Sequence, residues 1–330
     1  MIKIIQGNCI DKLKELEDES VQCVVTSPPY WGLRDYGTAT WEGGDENCEH
    51  LADRSKYEKN FNDSLQSTNT GTYARDIIGK WECPKCKAIR IDDQLGLEKT
   101  PQEYVQSLVN VFREVKRVLR DDGTVWLNLG DGYSEKQLVG IPWRVAFALQ
   151  DDGWYLRQDI IWEKPNPMPE SVQDRCTKSH EYIFLLTKNP KYYYDAEAIK
   201  EKGEYPAGTK GAKGSVERFS TTLVNSRPTE YKIYNGTRNK RDVWTITTKP
   251  YSEAHFATFP TEIPELCIKA GTKQGDVVLD MFAGAGTTGL VADRLGRDSI
   301  LIELNKDYTD MLEKRIYNDA PMFVEIESSK

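Results

Sequence analysis

Histidine and cysteine are scarce in this chain, with three and seven in 330 residues. Seven thiols, an odd number in a chain this long, do not make the paired framework of a small secreted scaffold. Long apolar runs are missing as well. No stretch approaches the ~20 apolar residues that a membrane-spanning helix needs. The opening Met1-Ile2-Lys3-Ile4-Ile5-Gln6-Gly7 lacks the apolar core and cleavage site of a signal peptide. The expectation is a cytoplasmic protein without membrane contact. Excess positive charge is absent too: the net charge of −8 argues mildly against a nucleic-acid partner, although a total hides local clusters. With 38% hydrophobic and 29% charged residues, the length suits one large α/β domain with insertions, or two domains.

What is present begins with Thr26-Ser27-Pro28-Pro29-Tyr30-Trp31, which follows the apolar run Val21–Val25. The run reads as a short buried strand, and two consecutive prolines cannot continue its ladder. The strand therefore stops and presents a small hydroxyl, a rigid turn and two aromatic rings at its end. In open α/β folds that edge of a parallel sheet is where ligands sit. The plainer alternative is a strand stop whose aromatics only pack. Residues 2–5 and a helical pattern through Leu13 and Leu16 precede this strand, a strand–helix–strand spacing that predicts parallel strands.

Residues 35–98 break the rhythm and read as an insertion rich in Gly, Asn, Asp, Ser and Thr. Cys48-x-His50 and Cys83-Pro84-Lys85-Cys86 lie within it, and these four side chains could supply a tetrahedral zinc set. Such a site would staple a segment with little apolar surface, and its role would be structural. A redox pair, or unrelated loop residues, are the alternatives. Thr100-Pro101-Gln102-Glu103 then opens a helix with a capping box and an early proline. Tyr104, Leu108, Phe112, Val115 and Leu119 lie on one face of that helix, and Asp121-Asp122-Gly123 reads as its stop. Strands are expected at 124–129, 154–162 and 180–187, with a helix at 142–150.

Residues 200–249 carry eleven Lys/Arg against five Asp/Glu, in a chain whose total is negative. Interleaved Tyr205, Phe219, Tyr231, Tyr234 and Trp244 make the segment suited to a phosphate backbone, unless it is a solvated loop. Beyond it, Val277-Val278-Leu279-Asp280 is a strand, Met281-Phe282-Ala283-Gly284-Ala285-Gly286-Thr287-Thr288 a glycine turn into a helix, and Ser299–Leu304 the next strand, containing Glu303. Glycines let a backbone approach a ligand closely, and an acid about 20 residues further on can bind ribose hydroxyls. The third glycine of the dinucleotide pattern is displaced to position 289, which points from NAD towards S-adenosylmethionine.

Together the two motifs resemble the S-adenosylmethionine-dependent amino-methylating DNA methyltransferases of the N4-cytosine/N6-adenine family, with the permuted beta-type motif order. The resemblance covers most of the chain outside 35–98 and 200–249. It implies a Rossmann-like α/β fold with a mostly parallel seven-stranded sheet and an antiparallel edge hairpin. Residues 1–34 and 99–199 would form the catalytic half, 200–249 the target-recognition region and 250–330 the cofactor half. By position, Ser27, Pro28, Pro29 and Tyr30 would be catalytic. Asp280, Phe282, Gly284, Gly286, Thr287 and Glu303 would line the cofactor. Asn8 stands where the family has an acid near the first helix. His255–Pro260 resembles the segment bordering the methionine moiety. Trp31, Lys232, Arg238, Lys240 and Arg241 would contact double-stranded DNA. A partner restriction endonuclease and a homodimer stay open.

The chemistry suits these residue types. An exocyclic amine is a weak nucleophile because its lone pair is delocalised into the ring. The Ser27 hydroxyl and Pro28 carbonyl can accept its hydrogen bonds, while Tyr30 stacks on a base flipped out of the duplex. A cytosine C5 methylase would need a Pro-Cys pair, and the sequence has none. In this family Ser-Pro-Pro-Tyr goes mostly with N4-cytosine and Asp-Pro-Pro-Tyr mostly with N6-adenine, so cytosine is the expected target. Adenine N6, an RNA or protein substrate, or a non-catalytic DNA-binding role are the competing readings.

Overall fold

The structure is a computed structural model, and it describes residues 1–32, 38–48, 82–83, 85–212, 231–249, 259–319 and 326–329. In chain order the main elements are β1 (Ile2–Gln6), α1 (Cys9–Lys14), β2 (Val21–Thr26), α2 (Pro101–Val118), β3 (Leu119–Leu129), α3 (Ile141–Asp151), β4 (Tyr155–Glu163) and β5 (His180–Thr187). They continue with β6 (Val243–Thr245), α4 (Glu262–Gly271), β7 (Val277–Asp280), α5 (Thr287–Arg294), β8 (Asp298–Glu303), α6 (Lys306–Asp319) and β9 (Ile326–Ser329). All nine strands form one sheet in the order β6-β4-β5-β3-β2-β7-β8-β1-β9.

Within this sheet only β5 runs against its neighbours, pairing antiparallel with β3 and β4. The expected seven strands are therefore extended by one short strand at each edge. Val243–Thr245 pairs with β4, and Ile326–Ser329 pairs with β1. Three- and four-residue strands carry almost no alternation of their own, so only pairing with a formed edge reveals them.

All six residues of β2 are buried, as expected for a central parallel strand covered on both faces. Helices α1, α2 and α3 pack on one another over one face, where Val24, Val125 and Leu279 join Leu108, Phe112 and Val115 in a single core cluster. The opposite face carries α4, α5 and α6. There a Cβ on Gly271 would lie 3.1 Å from the Cys23 sulfur and 2.5 Å from the Thr124 hydroxyl, so the α4 backbone rests directly on the sheet. Helix α2 starts as its sequence dictates. The Thr100 hydroxyl accepts from Glu103 N–H, and the Glu103 carboxylate accepts from Thr100 N–H, each at 3.2 Å.

Its end differs from the expectation. The helix stops at Val118, and Asp121-Asp122-Gly123 lies inside the long strand β3, at a register shift opposite Val21–Cys23. The acid-and-glycine signal marks a bulge rather than a helix stop, because Leu119 already has extended backbone and pairs with Val21.

Asp195–Arg241 is a separate compact unit. It holds two small antiparallel pairs, Glu201–Lys202 with Thr237–Arg238 and Lys210–Ala212 with Tyr231–Ile233. The rings of Tyr205 and Tyr234 pack 4.8 Å apart within it. Among the described residues no helix is long and apolar enough to cross a membrane. Phe112 is fully buried in the α2 face of the core. Phe112→Ala is expected to lower the unfolding free energy by about 3–5 kcal/mol, measured by urea denaturation.

Candidate active site

The two central strands β2 and β7 lie side by side and end together. Asp280, the last residue of β7, is 1% exposed. One of its carboxylate oxygens accepts from the Thr26 hydroxyl at 2.7 Å and from Phe282 N–H at 3.1 Å. The other accepts from the Thr288 hydroxyl at 2.7 Å. Burial pushes this carboxyl up to about 6 against those hydrogen bonds, which favour its charged form. The carboxylate thus ties the end of β2 to the end of β7 and to the first turn of α5.

The glycine turn follows at once. Gly284 N–H donates to Glu303 at 2.8 Å, and the other oxygen of Glu303 accepts from Asn305 N–H at 2.9 Å. Burial raises this carboxyl to about 7. Gly286 has φ 71°, and a Cβ there would lie 2.8 Å from Leu312, so both backbone and space require glycine. Thr287 is buried, and its hydroxyl accepts from Arg315 at 3.0 Å. Phe282 is half-buried against the core cluster. Asn8 caps α1, accepting from Ile10 N–H at 2.9 Å, while Gly7 N–H reaches the Glu303 carbonyl at 2.9 Å. Asn8 and Glu303 are thereby neighbours at one end of the sheet. Of the segment His255–Pro260, only Phe259 and Pro260 are among the described residues.

Ser27-Pro28-Pro29-Tyr30 leaves the end of β2 and is held from several sides. The Tyr104 hydroxyl of α2 donates to the Pro29 carbonyl at 2.8 Å. Gly32 N–H donates to the Gly96 carbonyl at 2.8 Å, and Gly96, at φ 93°, comes so close that a Cβ would sit 2.9 Å from the Tyr30 carbonyl. The Trp31 indole N–H donates to the Glu98 carbonyl at 2.9 Å. Its one polar side-chain atom is thus engaged inside the protein. The Tyr30 ring lies against Gly130, where a Cβ would stand 2.5 Å from it.

Beneath the loop are residues that the sequence patterns did not single out. The Tyr30 hydroxyl donates to Glu181 at 2.7 Å and lies 3.3 Å from the Asn128 amide oxygen. Glu181, at the start of β5, is ion-paired with Lys164, just past the end of β4. Burial works to raise the Glu181 carboxyl, but the Lys164 ammonium and three hydrogen bonds hold it below the usual range. The Tyr30 phenol is pushed well above its ordinary value by burial and by the Glu181 charge, and stays protonated. A usable signal existed: a polar residue in each of two otherwise apolar runs, Leu127-Asn128-Leu129 and Glu181–Leu186.

The Cys48, Cys83 and Cys86 sulfurs all lie within 4.8 Å of one another, with Cys48 and Cys83 3.9 Å apart. They sit beside the hairpin of Thr40–Glu42 and Ile89–Ile91, in a knuckle closed by Cys83 N–H to the Ala88 carbonyl at 2.7 Å and Lys87 N–H to the Cys83 carbonyl at 2.9 Å. Two thiolates on one tetrahedral zinc at ~2.3 Å would stand about 3.8 Å apart, so this donor set fits the ion. His50 lies outside the described residues.

In the Asp195–Arg241 unit, Glu201 gathers three cations. It accepts from Arg238 at 2.7 Å, Arg241 at 2.6 Å and Lys240 at 3.4 Å. Burial opposes its ionisation, yet Arg241 and Arg238 hold the carboxyl down at about 2. The backbone of Lys232 lies in the strand Tyr231–Ile233.

Two adjacent parallel strands, one ending in a rigid Pro-Pro turn and the other in a glycine turn over a buried acid, belong to a Rossmann-like fold of the methyltransferase type. Residues 21–314 match the model of a family described as DNA methylase, and the chain belongs to that family. It is 38% identical to the Type II methyltransferase M.Cfr9I of Citrobacter freundii, over 98% of this chain and 90% of that one. Identity to the Type II methyltransferase M.SmaI of Serratia marcescens is also 38%, over 95% and 90% of the two chains. The PvuII DNA methyltransferase (cytosine-N4-specific) shares the fold with a TM-score of 0.60 at 17% identity, over 98% of this chain and 94% of that one. A putative DNA modification methylase of Thermus thermophilus, solved in complex with S-adenosyl-L-methionine, has a TM-score of 0.56 at 22% identity, covering 100% of both chains.

The raised carboxyls have a consequence for stability. Glu303 titrates near 4.5 in an unfolded chain and at about 7 here. Its contribution is fully present below about pH 4.5 and is lost as pH rises through about 7. Asp280 acts in the same sense, up to about 6. Glu303→Gln removes the first of these dependences. The melting temperature of the cofactor-free variant, relative to wild type, should therefore climb from pH 5 to pH 8, equivalent to on the order of 2–3 kcal/mol. A flat difference across that range would contradict the raised value.

Proposed function

We propose that the chain methylates the exocyclic amine of a base flipped out of duplex DNA, and that the amine is N4 of cytosine. The observation that carries this reading is the pairing of the Ser27–Tyr30 loop with the Gly284–Glu303 turn at neighbouring strand ends joined by Thr26 and Asp280. S-adenosylmethionine, when bound, supplies an electrophilic methyl group on a sulfonium. Glu303 would hold its ribose hydroxyls, with Gly284 and Gly286 giving backbone access, Phe282 and Asn8 beside the nucleoside, and Asp280 and Thr287 bracing the turn. The Ser27 hydroxyl oxygen and the Pro28 carbonyl accept hydrogen bonds from the target amine and turn its lone pair towards the methyl group. Pro29, fixed by Tyr104, keeps those acceptors in place, and Tyr30 stacks on the base.

Serine at the head of the tetrapeptide favours cytosine over adenine, on the family resemblance. In the Asp195–Arg241 unit, Arg238, Lys240 and Arg241 would meet phosphates, held ready by Glu201, with Lys232 on a strand of the same unit. The Type II names of its relatives support pairing with a restriction endonuclease. Cys48, Cys83 and Cys86 would hold a structural zinc ion that pins the strand pair of Thr40–Glu42 and Ile89–Ile91.

Labelled methyl transfer to duplex DNA, followed by nucleoside analysis, is expected to give N4-methylcytosine. A product of N6-methyladenine alone would overturn the cytosine assignment, and cofactor binding without transfer would favour the non-catalytic reading. Ser27→Ala should lower kcat by about 100- to 1,000-fold while cofactor affinity holds. For the metal, the purified protein should contain about one zinc per chain, lost in Cys86→Ala together with part of the melting temperature. Metal-free wild-type protein with an unchanged melting curve would remove the zinc assignment.

A further inference from the structure

Ser27, Tyr30, Glu181 and Lys164 form a chain of polar contacts that runs inward from the loop, and its inner end has only one protonation pattern available. Lys164 is a donor only. It pairs with one oxygen of Glu181 while its ammonium stands 4.3 Å from the centroid of the Trp162 ring. Glu181, kept ionised by that partner, is an acceptor only. Its second oxygen receives the Tyr30 hydroxyl at 2.7 Å and an Asn128 amide proton at 3.1 Å.

The Asn128 orientation is fixed by the same logic. Both of its N–H groups are used, one on Glu181 and one on the Tyr182 carbonyl at 3.1 Å, and reversing the amide would set oxygen against two acceptors. Its oxygen is thereby left 3.3 Å from the Tyr30 hydroxyl, as a competing acceptor. Tyr30 has a single proton. The charged acceptor at 2.7 Å takes it in preference to the neutral one at 3.3 Å. The Tyr30 oxygen can then only accept from Ser27, whose hydroxyl lies 3.3 Å away. At that length the bond is weak, enough to set the direction of a freely rotating hydroxyl but not to hold the side chain. With its only proton turned inward, Ser27 presents lone pairs outward.

We propose that Glu181, charged and held by Lys164, is a positioning residue that sets the direction of this relay and so makes Ser27 an acceptor for the target amine. The proposal rests on the amine-methylating reading and deepens it. A serine hydroxyl has both a proton and lone pairs, and a proton turned outward would oppose the donor amine rather than orient it. An acidic residue at the same position would be an acceptor without help. The serine form of the loop needs a fixed charge elsewhere to choose its direction, and Glu181 supplies it through the Tyr30 hydroxyl. Glu181 touches neither base nor methyl group and acts only through Tyr30 and Ser27.

The test is single-turnover methyl transfer, at saturating DNA and cofactor, by wild type, Glu181→Gln, Tyr30→Phe, the pair together, and Lys164→Met/Glu181→Gln. A glutamine can donate to the Tyr30 oxygen, which frees the relay to reverse. Glu181→Gln is expected to slow transfer by about 10- to 100-fold, with cofactor affinity unchanged. Tyr30→Phe keeps the stacking ring and should slow transfer similarly. Because both act through Ser27, the double variant should fall within about two-fold of Tyr30→Phe alone. Lys164→Met/Glu181→Gln removes both charges of the pair together, and should regain melting temperature without regaining rate. A wild-type rate in Glu181→Gln, multiplying effects in the double variant, or a rate that returns with the melting temperature would each overturn the relay. Wild-type protein that methylates no DNA would instead overturn the functional reading, and the relay with it.

Discussion

Everything in the site depends on one buried carboxylate. Asp280 belongs to one half of the chain and Thr26 to the other, 254 positions apart, and their 2.7 Å hydrogen bond closes the gap between two strand ends. Burying a carboxylate is costly, and the rise of Asp280 to about 6 measures what remains after three donors have compensated it. The protein carries that cost at the place where both turns begin. Phe282 N–H, the Thr26 hydroxyl and the Thr288 hydroxyl each belong to a different piece of the site: glycine turn, β2 and α5. A small shift of any one is resisted by the other two, because a donor that leaves strands a buried charge.

From that fixed point the site extends in two directions with opposite electrostatics. Towards the glycine turn, Glu303 is another buried acid, raised to about 7 and, among the described residues, hydrogen-bonded by backbone N–H groups. A carboxyl whose donors among the described residues are backbone amides keeps lone pairs free, which suits the ribose role proposed for it. Towards the Pro-Pro turn, the acid is Glu181, and it is held down by a full positive charge at Lys164. Burial acts on both carboxyls in the same sense, and the presence or absence of one ammonium separates them. Among the described residues Glu303 receives backbone N–H groups, whereas Glu181 receives the side chains of Lys164, Tyr30 and Asn128.

How much of this could be read beforehand follows the range of each signal. The α2 start was legible because a capping box is written in four consecutive residues, Thr100 to Glu103. The strand stop at Pro28-Pro29 and the glycine turn at Gly284 and Gly286 were legible for the same reason, since local backbone chemistry decides them. The cysteine knuckle showed itself by spacing. Pairings between distant residues were not legible. Asn128 looks like a polar interruption of an apolar strand, and Glu181 like the polar start of one, until β3 and β5 are placed side by side. Arg238, Lys240 and Arg241 look like free cations until Glu201, at least 37 residues earlier, is found among them. The bulge at Asp121–Gly123 was misread because acid, acid, glycine serves a helix end and a bulge equally well.

The same distinction explains why the two motifs can stand in this order along the chain. The site needs the ends of β2 and β7 to be adjacent, and the sheet makes them so whichever comes first. Between them the chain can carry the cysteine hairpin and the Asp195–Arg241 unit, because loop-closure entropy rises only logarithmically, by about 0.6 kcal/mol for each doubling of length. An insertion that leaves β2, β7 and their shared hydrogen bonds intact is therefore cheap. An insertion between Thr26 and Ser27, or between Asp280 and Gly284, would separate the brace from the turn it holds. Added length is accordingly tolerated best in the connections, because it leaves the geometry at the two strand ends untouched.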